Sequence, residues 1–364
     1  MSRTLSFASS AGALARYSTP EIGRQGRAGT GGSSRLALAV LLVTAFGVVP
    51  FIGNDYWFSA ILVPLLVFSL AALGLNILTG YTGQLSVGSA AFMAIGAFAT
   101  YNVALRLPRL PLLLSIALGG LVSAGAGVLF GLPSLRIKGF YLIVSTLAAQ
   151  FFVQWLFVKV SWFSDDSASG VISAPKLNVA GISFDSPAGR YLFCLAIVVA
   201  LTLFAHNLIR SETGRQWMAV RDMDAAAEAM GIAVLRAKLL AFGVSSFYLG
   251  VAGALWAFAY LGTVEPHGFD LGRSFQILFI AIIGGLGSIA GNFYGAAFIV
   301  LFPVLLSQTA SRLLGGLIDE GNIENLQKII FGSLIIVFLI KEPDGLARLL
   351  QSLRERCRAW PLRA

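Results

Sequence analysis

From residue 36 to residue 341 the chain is a succession of apolar runs, most of them near the thickness of a bilayer, joined by mostly short connections. A helix needs roughly 17–25 apolar residues to cross the hydrocarbon core. Runs of that kind lie at 36–53, 57–79, 84–105, 111–132, 140–160, 190–209, 238–261 and 324–340, with a longer one at 274–308. They lack the 3.6- or 2.0-residue alternation that gives a helix or strand one wet face, so lipid rather than water is their natural solvent. Composition agrees. Hydrophobic residues make up 57% of the 364, and only 12% are charged, about half the usual share of a soluble domain. The 40 glycines suit helices that approach one another closely within a membrane. The fold class is therefore an all-α polytopic membrane protein of about ten transmembrane or half-spanning helices.

The run 274–308 is too long for one ordinary span and short for two. Gly284, Gly285, Gly287 and Gly291 interrupt it. Such backbone is tolerated at membrane depth where protein or a water-filled path surrounds it. We read it as two short or half-spanning helices hinged near Ser288. Charge supports that choice. With the N-terminus in the cytoplasm and ten crossings, the cytoplasmic side collects 18 basic residues. The outer side collects 6: Arg106, Arg109, Lys176, Arg190, Arg273 and Arg312. This is the positive-inside asymmetry. A single crossing at 274–308 would put the basic C-terminal tail outside.

Three regions follow. Residues 1–35 form a basic mobile tail rich in Ser, Gly and Arg, a composition shared with organellar transit peptides but ordinary for a cytosolic tail before a first span. Residues 36–341 form a transmembrane domain, with an external loop at 161–189 and a cytoplasmic loop at 211–238. Residues 342–364 form a cytoplasmic C-terminal tail. The net charge of +9 is accounted for by orientation in the bilayer, so a nucleic-acid partner is not expected. Cys194 lies in an apolar run and Cys357 in a charged tail, which predicts no disulfide. The segments 83–98 and 284–299 share spaced Gly, Ser and an Ala-Ala-Phe. This fits a pseudo-repeat of two halves with Gly-broken helices in matching positions, or shared composition alone.

The loop 211–238, SETGRQWMAVRDMDAAAEAMGIAVLRAK, is far more polar than its surroundings. Asp224–Met230 is dense in Ala with Glu228, which predicts a short helix. Gly231 ends it, as Gly does just past a helix C-terminus. Small side chains rimmed by charge suit docking into a groove of another protein. The same features also suit a surface helix that merely joins two spans.

The Ala-rich Glu–Gly pattern AAEAMGI resembles the coupling loop of bacterial ATP-binding-cassette importers. Three blocks, GLNILTGYTGQLSVGSAAFMAIGAF (74–98), AVRDMDAAAEAMGI…KLLAFGVSSFYLGVAGALWA (219–257) and AIIGGLGSIAGNFYGAAFIVLFPVLL (281–306), resemble the branched-chain amino-acid permease family, specifically its larger permease partner. The ending IIFGSLIIVFLIKEPDGLARL (329–349) is similar to that family's last span. The resemblance implies a permease subunit in a bacterial inner membrane with both termini cytoplasmic. It implies as partners a second homologous permease, two cytosolic ATPase subunits and an extracytoplasmic substrate-binding protein. It implies that ATP and Mg are bound by the partner subunits, and that Arg221, Asp224, Ala227, Glu228, Ala229 and Gly231 couple to the ATPase. The cargo it implies is leucine-like amino acids or other small acids and amides. The sequence departs from that family in its long basic N-terminal tail and in Asn292, where the family commonly has Pro.

No GxxxxGK[ST] phosphate loop is present, so energy must come from a partner or an ion gradient. No cofactor is expected in this chain. His206 and His267 are the only histidines, neither with ligand-spaced neighbours, so no metal or catalytic site is expected. Asp165-Asp166-Ser-Ala-Ser-Gly resembles part of a calcium loop but has no closing Glu. Ionisable residues within spans are nearly absent, Lys159 and Lys328 lying near span ends. The polar residues left as a translocation path are neutral: Asn76, Thr79, Gln84, Ser86 and Ser89 around the glycines Gly80 and Gly83, Gln150 and Gln154 on one helical turn, and Gln276, Ser288 and Asn292 around the second break. Each could instead bond between helices. Two other functions stay in view, a gradient-driven secondary transporter and a non-transporting membrane scaffold. The first would usually keep an acid or a His at mid-membrane.

Overall fold

The computed structural model describes residues 43–134, 140–164, 171–175, 177–179, 182–314, 329–330, 332–333, 336 and 345–349. Contacts divide the chain into two units, Met1–Phe51 and Ile52–Ala364. In the first, residues 44–48 form a π turn that runs on into an α turn. The second holds the bundle. Its helices are α1 (Trp57–Thr82), α2 (Ser89–Arg106), α3 (Leu112–Ser134), α4 (Phe140–Lys159), α5 (Pro187–Arg210), α6 (Glu212–Asp222), α7 (Asp224–Ala229), α8 (Val234–Leu261), α9 (Leu271–Gly284) and α10 (Ile289–Leu314). Among the described residues, six stretches are long and apolar enough to cross a bilayer: Trp57–Thr82, Leu112–Leu132, Tyr141–Lys159, Pro187–Arg210, Val234–Leu261 and Ile289–Leu306.

Helix α1 is the axis of the bundle. It is apolar all round and buried almost throughout from Val63 to Thr82, as expected of a helix enclosed by others. By contrast α3, α4 and α5 expose large apolar side chains such as Leu121, Phe152, Trp155 and Phe204, the surface a bilayer would cover. Helices α2, α3 and α8 cross at small residues. A Cβ on Gly96 would run into the backbone of Gly250, and one on Gly253 into the backbone of Met93. The Ser123 hydroxyl reaches the carbonyls of Phe92 and Ser246 at 2.9 and 2.8 Å. Lipid gives no hydrophobic drive for helices to associate, so close backbone packing and such bonds hold the bundle together.

The connections sort onto two ends. At one end, β1 (Ile172–Ser173) pairs antiparallel with β4 (Thr263–Val264), and Arg106 stacks on Trp162 at 3.6 Å. Near them in sequence, β2 (Asn178–Val179) and β3 (Ile182–Ser183) form a small hairpin. At the other end lie Gly83, the break 285–288, helices α6 and α7, and Gly345, whose Cβ would meet the Gly285 backbone.

The run 274–308 divides where the glycines stand, with positive φ at Gly285 and Gly287. Of the two halves only α9 is short. At 14 residues it is about 21 Å long, whereas α10 has 26 residues and is no half-helix. The run 84–105 becomes helical only at Ser89. Run 190–209 starts earlier, at Pro187, capped by Ser186 accepting from Gly189 N at 3.1 Å. Of run 324–340, only residues 329–330, 332–333 and 336 fall among the described residues. Lys328, Cys357, Asp165 and Asp166 lie outside them, so the total of ten crossings is left open.

Replacing Gly96 with Val should force α2 away from α8. The expected cost is about 1–3 kcal/mol or more, seen as a lower midpoint of thermal unfolding in detergent. An unchanged midpoint would contradict the close crossing.

Candidate coupling and translocation site

Helix α1 ends in an αL turn at Gly83. Gly83 takes φ 70°, its N–H donates to Thr79 O at 3.2 Å, and Gln84 N donates to Leu78 O at 3.2 Å. Just inside this end, the fully buried Asn76 faces the break between α9 and α10. Its Nδ2 donates to Ser288 O at 3.1 Å and to Asn292 Oδ1 at 3.0 Å, and its Oδ1 accepts from Gly287 N at 2.8 Å. The Tyr81 hydroxyl donates to Gly287 O at 2.7 Å. Ser288 Oγ accepts from Gly291 N at 3.1 Å. The two sets of glycines therefore meet at one joint. Gly80 lies so close that a Cβ there would overlap Asn76 Oδ1 and Gly287 N. Gly284 and Gly291 likewise lie backbone to backbone. The departure at residue 292 gains a reason, because a proline could not accept the Asn76 bond.

The loop 211–238 is built around this joint. Helix α7 covers Asp224–Ala229, and Gly231 follows at φ 84°, as the sequence predicts. Helix α6, which the sequence reading did not anticipate, buries Gly214, Trp217 and Val220 on one side. Trp217 is fully enclosed, and its Nε1 donates to Ala237 O at 3.0 Å. Arg221, at the C-terminal end of α6, turns inward. Its NH1 donates to Gly80 O at 3.0 Å, a favourable place for a cation because carbonyls gather at the end of α1. Its other nitrogens bond Asp222 Oδ1 at 3.0 and 2.9 Å. Lys238 Nζ bonds Asp224 Oδ2 at 2.6 Å, tying α7 to α8. Of the residues named for coupling, Ala227 is buried and Arg221 and Asp224 face the bundle side. Glu228, Ala229 and Gly231 are exposed, beside Met223 and Met230, at 63% and 69% exposure. The loop thus has an inner face fixed to the joint and an outer face of Met, Ala and one Glu.

Most of the neutral polar set is bonded within the protein. Thr79 Oγ1 donates to Gln84 O, and Gln84 Nε2 to Thr82 Oγ1. Ser86 Oγ accepts from Gly88 N, and Gln276 Oε1 accepts from Arg273 NH1 at 2.9 Å. Ser89 is buried with its hydroxyl unpartnered. Gln150, midway along α4, caps the start of α2: its Oε1 accepts from Ala91 N at 2.6 Å and from Ser274 Oγ at 3.1 Å. Ser274 Oγ in turn accepts from Ala90 N at 2.9 Å. Helices α2 and α9 therefore both begin at mid-depth of α4, the ends of two broken helices set together.

This depth corrects one expectation. The sequence places Arg273 on the outer side, just before the apolar run at 274. The chain instead dips inward after β4, burying Pro266 and Phe269, with Gln150 Nε2 donating to Phe269 O at 2.9 Å. The Arg273 guanidinium lies 5.5 Å from the ring of Phe68, a residue about 16 Å from one end of α1 and about 21 Å from the other. An ionisable side chain does sit at membrane depth, where an arginine costs about 2.5–3.5 kcal/mol on insertion scales. His206 and His267 are exposed. Among the described residues no group of His, Cys, Asp and Glu could hold a metal.

A family model described as branched-chain amino acid transport system / permease component matches residues 57–339. The high-affinity branched-chain amino acid transport system permease proteins LivM of Salmonella typhimurium and Escherichia coli are 30% and 29% identical over 304 residues, covering 77% of this chain and 68% of theirs. The autoinducer 2 import system permease protein LsrC of an Enterobacter species is 29% identical over 230 residues, covering 61% of this chain and 63% of that protein. No solved structure matches the chain.

Substituting Asn76 with Leu keeps the branched four-atom side chain but leaves the Gly287 N–H without its acceptor. A loss of about 1–3 kcal/mol is expected, read as a lower unfolding midpoint. Tyr81→Phe should lower it by about 1 kcal/mol. Unchanged midpoints in both would contradict the joint.

Proposed function

The chain belongs to the branched-chain amino acid transport permease family, and from that premise we propose that it is the transmembrane permease subunit of an ATP-binding-cassette importer. It moves branched-chain or related small amino acids or amides inward. A second homologous permease completes the pathway, an extracytoplasmic binding protein delivers the cargo, and two cytosolic ATPase subunits dock on residues 211–238. ATP and Mg are held by those subunits. This chain has no phosphate loop of its own.

The observation that carries this reading is the two-sided loop. Its outer face, Met223, Glu228, Ala229, Met230 and Gly231, is exposed. A groove on another protein can take small and flexible side chains of this kind. Its inner face is rigidly connected to the joint between α1 and the α9–α10 break through Arg221. A push on α7 therefore has a direct mechanical route to the broken helices. A scaffold that moved nothing would have no use for that route. The end bearing the loop also carries Arg210, Arg215, Arg221, Arg236 and Lys238, which favours a cytoplasmic position for it within a bacterial inner membrane. Gly345 packs at that end too, in keeping with a cytoplasmic C-terminus.

In the complex assembled with its partner subunits, Glu228→Arg and Gly231→Trp are expected to abolish transport-linked ATP hydrolysis while leaving membrane insertion intact. Both positions are exposed. Gly231 has open space but φ 84°, which strains any side chain there, so Glu228→Arg is the variant whose loss reports docking alone. Normal coupling in both variants would overturn the reading.

A further inference from the structure

Where α8 ends, the chain widens into a π turn over Trp256–Leu261 before Gly262 turns it toward β4. Such turns are rare and occur often at functional sites. This one presents Trp256 and Tyr260, stacked at 4.3 Å between centroids, with Phe68 of α1 4.8 Å from Trp256. Arg273, on the first turn of α9, lays its guanidinium over the Trp256 ring at 4.7 Å. Its NH1 is occupied by Gln276, but its Nε is buried with no acceptor. Trp256 Nε1 is likewise buried with no acceptor. Asp270, the nearest acid in sequence, is engaged in capping α9 through Arg273 N at 2.9 Å and forms no ion pair with the guanidinium.

Both unanswered groups can only donate, and one carries a full positive charge. What they lack is an acceptor with negative charge. A carboxylate meets a guanidinium in one plane with two oxygens, the pairing for which arginine is best shaped. The depth of Phe68 keeps lipid phosphates out of reach. The cluster is open on one side, through Tyr260 and Phe275, each 38% exposed, and through Gln276 and Gly272. Arg, Gln and Gly on a surface at this depth belong against a watery path or a partner helix rather than lipid tails.

We propose that Arg273, Trp256 and Tyr260 form a transient binding site, on the pathway face of the permease, for the carboxylate of a small carboxylic-acid cargo such as an amino acid. This deepens the importer reading and rests on it. The guanidinium and the indole N–H hold the carboxylate, and the ring of Tyr260, 38% exposed, lies ready for an apolar side chain. Arg273 thus gives the permease a preference for acids over the matching amides, independently of whatever the external binding protein selects.

The test uses the complete transporter in proteoliposomes, with ATP and the binding protein. Arg273→Gln is expected to lower leucine uptake by about tenfold or more, the scale of one lost charge-assisted contact, and Arg273→Lys should recover part of it. A second measurement needs no variant. In the wild-type complex without the binding protein, leucine should protect Arg273 from phenylglyoxal, detected by mass spectrometry of the peptide, and leucinamide should not. Uptake unchanged in Arg273→Gln, or equal modification with and without leucine, would overturn the site. If the wild-type complex moves neither leucine nor any other small amino acid or amide with ATP present, the importer reading itself fails, an outcome distinct from either of these.

Discussion

The structure depends on one hydrogen-bonded seam, where Asn76 of α1 holds the break between α9 and α10. A side-chain amide buried in a membrane bundle must find partners within the protein. Asn76 finds three: a backbone N–H, a backbone carbonyl and the Asn292 amide. The backbone groups are free to bond because positive φ at Gly285 and Gly287 interrupts the helix there. Break and seam therefore require each other. Without the break Asn76 would lack an acceptor and a donor, and without Asn76 the freed Gly287 N–H would be buried and unpaired. Gly80 completes the fit by leaving no Cβ between them.

Function grows from the position of this seam. It lies at the end of the bundle that carries the exposed helix α7, and Arg221 ties the two together. At its other end α9 reaches mid-depth, where Ser274, Gln150 and the start of α2 share a closed set of bonds. A short rigid helix thus runs from the loop end to the middle of the membrane and bears Arg273 on its first turn. Helix α9 therefore links the loop end to the mid-depth residues Ser274 and Gln150. Elsewhere the small-residue crossings of α2, α3 and α8 make a stiff frame for α9 to move against.

Much of this was legible in the sequence, for physical reasons. Runs such as 57–79 and 111–132 announce spans because lipid forbids any other solution. Gly284–Gly291 announced a break because four glycines so close would be a poor helix. The Ala-rich stretch closed by Gly231 announced α7. What escaped were features fixed by packing. Helix α6 carries its buried residues Gly214, Trp217 and Val220 at three-residue spacing, but only Trp217, a lone large aromatic in a polar loop, stands out in the sequence as the mark of a buried face. The depth of Arg273 was hidden because hydropathy places a charge at a membrane edge by default. Only the dip after β4 brings it inside. Of the neutral polar residues, Asn76, Ser288 and Asn292 meet at the break whereas Gln276 lies beside Arg273, and Asn76 and Asn292 spend their bonds on each other, which a single sequence cannot distinguish from lining a channel.

The central claim is that α7 and the α9–α10 break move as one body. It can be measured directly with spin labels at the exposed positions Met230 and Leu286, and a third at Val171 on the opposite end, in the full complex with its native cysteines replaced. The expected result is a Met230–Leu286 distance distribution that stays the same between the nucleotide-free and ATP-trapped states, while the distances from both to Val171 change together. A Met230–Leu286 distance that itself shifts with nucleotide, with Leu286 fixed relative to Val171, would contradict it.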